Sequence, residues 1–286
     1  MDFLNAALGA LLFVVLAPVG GGLVAGVDRI VTARMQGRVG PPLFQPFYDV
    51  FKLMHKETMV VRRSQNFYMV FYLILMIFTG VLFFSGGDIL LVIFALTLGD
   101  VFFILGGYKA SSPFSFLGTQ RELILSMAYE PIILLLAVGL YRATGSFNVA
   151  DINAYPDLLI VFLPGLFIGF LCVMEIKFRK SPFDLSTSHH GHQELVKGMT
   201  TEFSGRTLAA IEVGHWYESV FVLGLLYLFF AAKPIMAVVA VGLTLFFLIL
   251  ADNAFARFKW QLALKSTWMM AIVLGVSNIL VLYYFF

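Results

Sequence analysis

The sequence predicts an all-α fold, a polytopic transmembrane helical bundle of about eight spans with two long cytoplasmic loops carrying short amphipathic helices. Three observations predict it. Sixty percent of the 286 residues are hydrophobic, 13% are charged, and mean hydropathy is +0.91; soluble domains carry about 25% charged residues. Apolar runs of about 20 residues, the length that crosses a hydrocarbon core, recur along the whole chain. All but Arg142 and Lys233 of the 19 Lys and Arg fall after every second run, the alternation expected when basic loops stay on the cytoplasmic side.

Taken in order, the runs place spans near 4–27, 67–86, 89–108, 123–142, 158–177, 214–232, 234–252 and 267–286. The first ends at Gly26 with no basic stretch before it and no small-residue cleavage site after it, so it reads as a retained span rather than a signal peptide. The sixth and seventh meet in a tight hairpin at Lys233 and Pro234. The basic loops follow spans one, three, five and seven, which puts both termini outside. No repeat or low-complexity segment divides the chain. Residues 1–286 therefore read as one domain, with long loops at 28–66 and 178–213.

Composition also excludes. A net charge of +2 is too small for nucleic-acid binding. The 31 Phe read as lipid-facing bulk. The lone Cys172 can hold neither an iron–sulfur cluster nor a structural zinc, which need several ligands. No G-x-S-x-G, H-E-x-x-H, Walker or dinucleotide signature occurs. The five histidines sit in or beside basic loops, and none forms a mid-membrane pair able to hold a haem. The chain is expected to carry no cofactor and no redox centre of its own.

Ionisable side chains inside a bilayer cost about 2.5–3.5 kcal/mol each, so each asks for a reason. Glu130 lies mid-span between Tyr129 and Pro131; the proline breaks a backbone hydrogen bond and bends the helix. Asp100 follows Gly99 in the third span, and Glu175 ends the fifth with Lys177 close by. Glu212, His215 and Glu218, spaced three apart, share one helix face. Together these groups could form a line of protonatable sites; the alternative for each is a structural polar residue satisfied by a partner.

The first long loop places Phe44, Phe47, Phe51 and Met54 at helical spacing. This fits either an interfacial amphipathic helix or a docking surface for another protein. The second long loop holds Asp184, Glu194 and Glu202 with His189, His190 and His192. Those histidines lack acidic or Cys partners at a familiar metal-ligand spacing, which favours proton entry or a hydrogen-bonded interface.

Two stretches resemble the family of the H-type membrane subunit of complex I. One begins at Asp28 and Arg29, runs through ARMQGRVGPP (Ala33 to Pro42), and continues with Asp49, Lys52, Leu53, Lys56 and Glu57. The other is SPFDL (Ser181 to Leu185) followed by QELVKGMTTEFSG (Gln193 to Gly205). Where quinone-reducing members have an acidic P-E-A-E run, this chain has STSHHGH, Ser186 to His192. With REL at Arg121 to Leu123, YEP at Tyr129 to Pro131 and HWYE at His215 to Glu218, the sequence is similar to the membrane subunit of energy-converting (Ech-type) NiFe hydrogenases and formate hydrogenlyase.

The resemblance implies a non-catalytic subunit that anchors a hydrogenase and couples ferredoxin-linked hydrogen chemistry to ion translocation in a prokaryotic inner membrane. The implied partners are hydrogenase large and small subunits, a ferredoxin-like iron–sulfur subunit and an antiporter-like membrane subunit. The NiFe centre and iron–sulfur clusters would lie in those partners. First-loop residues implied in docking are Asp28, which stands where the family usually has Glu in a Glu-Arg pair, with Arg29, and the pattern-matching Arg34, Arg38, Asp49, Lys52 and Glu57; Glu130, Asp184, Glu194 and Glu202 match acidic positions. The family's acidic residue at the start of span six falls on His215, with Glu212 and Glu218 one turn to either side. The alternatives are the H-type membrane component of a quinone-reducing complex I, or a free-standing secondary transporter. The second would show inverted repeats with paired broken helices, and the one Pro-interrupted polar span is the fourth, with no counterpart.

Overall fold

A computed structural model describes residues 3–59, 63–183 and 198–285. The described residues are mostly helical, and among them the single β-type contact is one bridge between Asp88 and Asn148. Helix α1 spans Phe3–Met35, and α2 is a short surface helix, Gln45–Met54. Next come α3 (Arg63–Phe84), α4 (Ile89–Tyr108) and α5 (Pro113–Thr144). Short helices α6 (Val149–Asn153) and α7 (Leu159–Phe162) lead into α8 (Pro164–Lys177). Helices α9 (Gly205–Leu228) and α10 (Pro234–Ala254) follow. The last apolar stretch is α11 (Trp260–Met270), one π-helical segment (Ala271–Val276) and α12 (Ser277–Phe285).

Local chemistry sets the boundaries. Asp88 caps α4 by accepting from the backbone N–H of Leu90 at 2.8 Å and of Leu91 at 3.4 Å, which satisfies N–H groups that have no intrahelical acceptor. Prolines open α5, α8 and α10 at positions where a missing N–H costs nothing. Gly145, at φ 78°, stops α5 in the left-handed conformation.

Among the described residues six helices are long and apolar enough to cross a membrane by length and composition: Leu4–Met35, Ser64–Phe84, Ile89–Tyr108, Pro113–Thr144, Pro234–Ala254 and Trp260–Tyr284. The expected spans at 158–177 and 214–232 take other forms. The first is broken at Leu163, because Pro164 disfavours helical backbone in the residue before it. Asn278 mends the break: its Nδ2 donates to the Phe162 carbonyl at 3.0 Å and its Oδ1 accepts from the Leu166 N–H at 3.3 Å. The second begins nine residues earlier, at Gly205, than the apolar run suggests. Arg206, Thr207 and Glu212 lower its hydropathy, yet Thr207 turns inward and donates to Asn66 at 2.7 Å.

One apolar core runs from Phe13 on α1 to Leu282 on α12. Helices α3, α4, α5, α8 and α9 form its centre. The rim is apolar too: Leu8, Leu11 and Leu16 on α1, Val238, Leu243 and Phe247 on α10, and Ile272 and Val273 in the π-helical segment are all exposed. A water-soluble monomer does not present such faces; lipid covers them.

The ends of the bundle are distinct. At one end Arg29 meets Asp49, Met59 meets Ser204, and Gln36 meets Asn253, so the segments after α1, before α9 and after α10 converge. At the other end Val149 bonds to Gly87 and Ile160 to Phe229, and Arg142 sits over the Tyr283 ring at 5.3 Å. The basic segments thus gather on one end, as the alternation of Lys and Arg along the chain requires.

Candidate functional site

At the basic end of the core, Lys177 closes α8 and reaches two carboxylates. Its Nζ lies 2.7 Å from Asp100 Oδ2 on α4 and 2.7 Å from Glu218 Oε1 on α9. All three side chains are at most 10% accessible. Lys177 points away from Glu175, its neighbour in sequence, because residues two apart on a helix do not face each other. Tyr129 on α5 donates to Asp100 and lies under the Lys177 ammonium, whose nitrogen is 4.4 Å from the ring centroid. Ser126 sits 3.4 Å from the Tyr129 hydroxyl.

The network continues on the far side of Glu218. His215 Nδ1 is 3.4 Å from Glu218 Oε2 and 2.8 Å from the Tyr72 hydroxyl on α3. His215 Nε2 is buried with no partner among the described residues. Gly214 makes this possible, since a Cβ there would land on the Tyr72 ring. Gly214→Ala will therefore push Tyr72 off His215 at a cost of about 1–3 kcal/mol for overpacking, read as a lower unfolding temperature of the solubilised protein. An unchanged temperature would show that the ring has room to yield.

Five helices, α3, α4, α5, α8 and α9, thus converge on one chain of side chains, Ser126–Tyr129–Asp100–Lys177–Glu218–His215–Tyr72. Burying a charge is costly unless it is paired. Here two carboxylates share one ammonium, so the site is one positive charge short of balance when all three are ionised. Arg179 stands beside it, 3.7 Å from Glu122 and 5.4 Å from the Phe103 ring centroid. It adopts φ 55°, uncommon for a non-glycine residue, where the chain turns out of α8.

One residue further, Lys180 makes a second ionic knot, 2.6 Å from Asp28 on α1 and 3.1 Å from Asp252 on α10. Between these two knots lies a cavity of about 480 Å³ bounded by α1, α9 and α10. Its walls are Leu23, Val24, Leu245 and Leu248, and Lys177, Arg179, Lys180, Glu212 and His215 make its polar end.

Of the sequence-predicted acids, Asp100, His215 and Glu218 meet in the buried chain. Glu212 is exposed and lines the cavity beside them, so the three-apart row holds, but its first member faces the cavity. Glu130 does not join. It lines a separate recess of about 120 Å³ between α4 and α5 with Phe94, Thr97 and Leu134. Glu175 is half-buried near Cys172, and Glu202 is half-buried in the turn before α9. Asp184, Glu194, His189, His190 and His192 lie outside the described residues.

Among the first-loop residues, Arg29 pairs with Asp49 at 2.7 Å. Burial raises the Asp49 pKa, but hydrogen bonds from Arg29 and Gln45 outweigh it and hold the carboxyl below its ordinary value. Asp28 is taken up by Lys180. Arg34, Arg38, Lys52 and Glu57 are exposed. Helix α2 buries Pro46 and Val50, packs Phe47 against Trp216, and leaves Phe44, Tyr48, Phe51 and Met54 outward. No group of three or more His, Cys, Asp and Glu residues is placed to hold a metal among the described residues.

Sequence reasoning missed Lys177, Arg179, Tyr72 and Glu122 as members of the site. A signal was present for the first: a lysine ending an apolar run with two acids on other spans has a partner to find.

Comparison with known proteins agrees with this architecture. A family described as NADH dehydrogenase matches residues 8–283. Hydrogenase-4 component C of Escherichia coli is 29% identical, over 86% of this chain and 87% of that protein. NADH-ubiquinone oxidoreductase chain 1 of Aedes aegypti is 24% identical, over 94% of this chain and 92% of that protein. Among solved structures, a chain of the membrane-bound sulfane sulfur reductase, an archaeal respiratory membrane complex, superposes with a TM-score of 0.84 at 23% identity, covering 96% of this chain and 99% of that one. Matched over nearly its whole length, the chain is a membrane protein that belongs to the NADH dehydrogenase family, that of the H-type (or first) membrane subunit of complex I.

Proposed function

We propose that this chain is the membrane-anchoring, ion-translocation-coupling subunit of a multisubunit energy-converting NiFe hydrogenase that produces or takes up hydrogen with ferredoxin. The observation that carries the reading is the buried Lys177–Asp100–Glu218 cluster. It is a charge-imbalanced acid site sealed among five helices and adjoining a cavity. Such a site stores and releases protons, and its affinity changes when any one charge near it moves. The likeness to hydrogenase-4 component C and the replacement of P-E-A-E by STSHHGH support the hydrogenase branch.

In this reading the chain lies in a prokaryotic cell membrane with both termini outside and its basic end in the cytoplasm. There Arg34, Arg38, Lys52 and Glu57 meet hydrogenase large and small subunits and a ferredoxin-like iron–sulfur subunit, which hold the NiFe centre and the clusters. Asp184, Glu194, Glu202 and the three loop histidines complete that surface and the proton entry. The chain itself supplies protonatable and ionic groups. Glu130 is the acid assigned to exchange with an antiporter-like membrane subunit; its recess is walled by Phe94 and Leu134, which are 63% and 41% exposed, so a neighbouring helix can reach it. Glu175 and Glu212 serve as outlying acids of the same path.

One observation favours a second reading. The cavity of about 480 Å³ has apolar walls and a polar end, a shape that suits an isoprenoid quinone head, as the corresponding membrane component of a quinone-reducing complex I would need. Purified complex assayed for hydrogen evolution from reduced ferredoxin, with and without quinone, separates the two. Hydrogen evolution that needs no quinone is expected; quinone reduction without hydrogen chemistry would overturn the hydrogenase assignment.

A further inference from the structure

A second, far smaller cavity lies against the ionic cluster. It measures about 20 Å³ and is lined by Glu122, Tyr129, Lys177, Arg179 and Glu218, with Leu125 and Ile176 closing it. A buried water needs roughly 10–15 Å³ and two to four polar partners. The space therefore admits one water and little else, and five polar side chains surround it.

We propose that a single bound water fills this cavity and links Glu122 to Glu218, making Glu122 the acid through which protons reach the buried cluster. The assignment rests on the coupling reading above. Its support is positional. Glu122 is 20% accessible and Glu218 is 7% accessible, so Glu122 is the wetter of two acids on the same cavity. Arg179 holds Glu122 in place from 3.7 Å, and Phe103 backs the guanidinium. Lys177, on the same cavity, holds Glu218 at 2.7 Å. Helices α5 and α9 thus present their acids to a common gap that neither carboxylate closes.

The step balances as a proton relay. A protonated Glu122 gives its proton to the water oxygen while that water gives one of its own to a Glu218 oxygen. One O–H bond breaks and one forms at the water, Glu122 ends as carboxylate, and Glu218 ends as carboxylic acid. Reversal carries the proton outward. Arg179 stays 3.7 Å from Glu122, and Lys177 remains available to Asp100 once Glu218 is neutral.

The test uses the intact complex in inside-out membrane vesicles, reading ferredoxin-driven, gradient-forming turnover. Glu122→Gln retains the size of the side chain and one acceptor oxygen but cannot release a proton, and turnover is expected to fall about a hundredfold. Glu122→Asp should restore a substantial part, which a purely structural role would not give. Glu218→Gln is the control for the underlying reading. If Glu218→Gln stays fully coupled, the coupling function fails. If Glu218→Gln uncouples while Glu122→Gln does not, the water relay alone is wrong. Should Glu122→Gln fail to assemble, a high-resolution cryo-EM map of the unaltered complex decides. Density for a water within hydrogen-bond distance of both carboxylates is expected; an empty gap or a side chain filling it would overturn the proposal.

Discussion

Lys177→Met is expected to destabilise the protein by about 3–5 kcal/mol, the cost of removing one partner from a buried ionic group. The reason is specific to this site. Asp100 and Glu218 both reach Nζ at 2.7 Å, so one substitution strands two acids in the core. Thermal unfolding of the solubilised complex reads the loss, and coupled turnover should vanish with it. Adding Asp100→Asn to Lys177→Met removes one stranded charge and should recover part of the stability but none of the coupling, a non-additivity expected for groups in one network. A Lys177→Met protein as stable and as well coupled as the parent would show that the ammonium is not the keystone of the cluster.

Reversing charge at the exposed arginines should act on assembly and leave the fold intact. Arg34 ends α1 and Arg38 follows it, both exposed, and Arg38 Nη2 donates to the nearby Gln36. Arg34→Glu with Arg38→Glu should leave stability within the roughly ±0.5 kcal/mol typical of surface changes. It should release most of the soluble hydrogenase module, because like charges set against a partner surface cost several kcal/mol. Sedimentation of membranes followed by assay of hydrogenase in pellet and supernatant measures the release. Full retention in the pellet would show that these arginines do not face the partner.

The span pattern was legible where hydropathy alone decides it: α3, α4 and α10 lie within a few residues of the runs that predict them. It failed where polar groups are turned inward. Helix α9 opens with Arg206, Thr207 and Glu212; Arg206 and Glu212 stay exposed, and only the fold reveals Asn66 waiting for Thr207. The break at Leu163 is foreseeable from Pro164, but the Asn278 side chain that repairs it comes from more than 100 residues away, beyond any local pattern.

The site divides in the same way. Asp100, His215 and Glu218 were identifiable because an ionisable group in an apolar run is costly and must be compensated. Which group compensates which was not. Glu175 and Lys177 look like a pair on paper, yet the helix turns them apart and gives Lys177 to α4 and α9. Glu130, the most conspicuous acid in the sequence beside its proline, stands alone in the outer groove, while its neighbour Tyr129 reaches inward.

The four residues from Lys177 to Lys180 have a mechanical consequence. Each cation in that stretch is fastened somewhere else: Lys177 to α4 and α9, Arg179 to α5, and Lys180 to α1 and α10. The segment continues at once into Ser181, Pro182 and Phe183, with Ser181 and Pro182 themselves pinned by Asp252 and Phe258. A pull on this segment would tension five ionic ties in concert and reach five helices. A small displacement at the surface of the chain would in this way shift the electrostatic potential deep inside it.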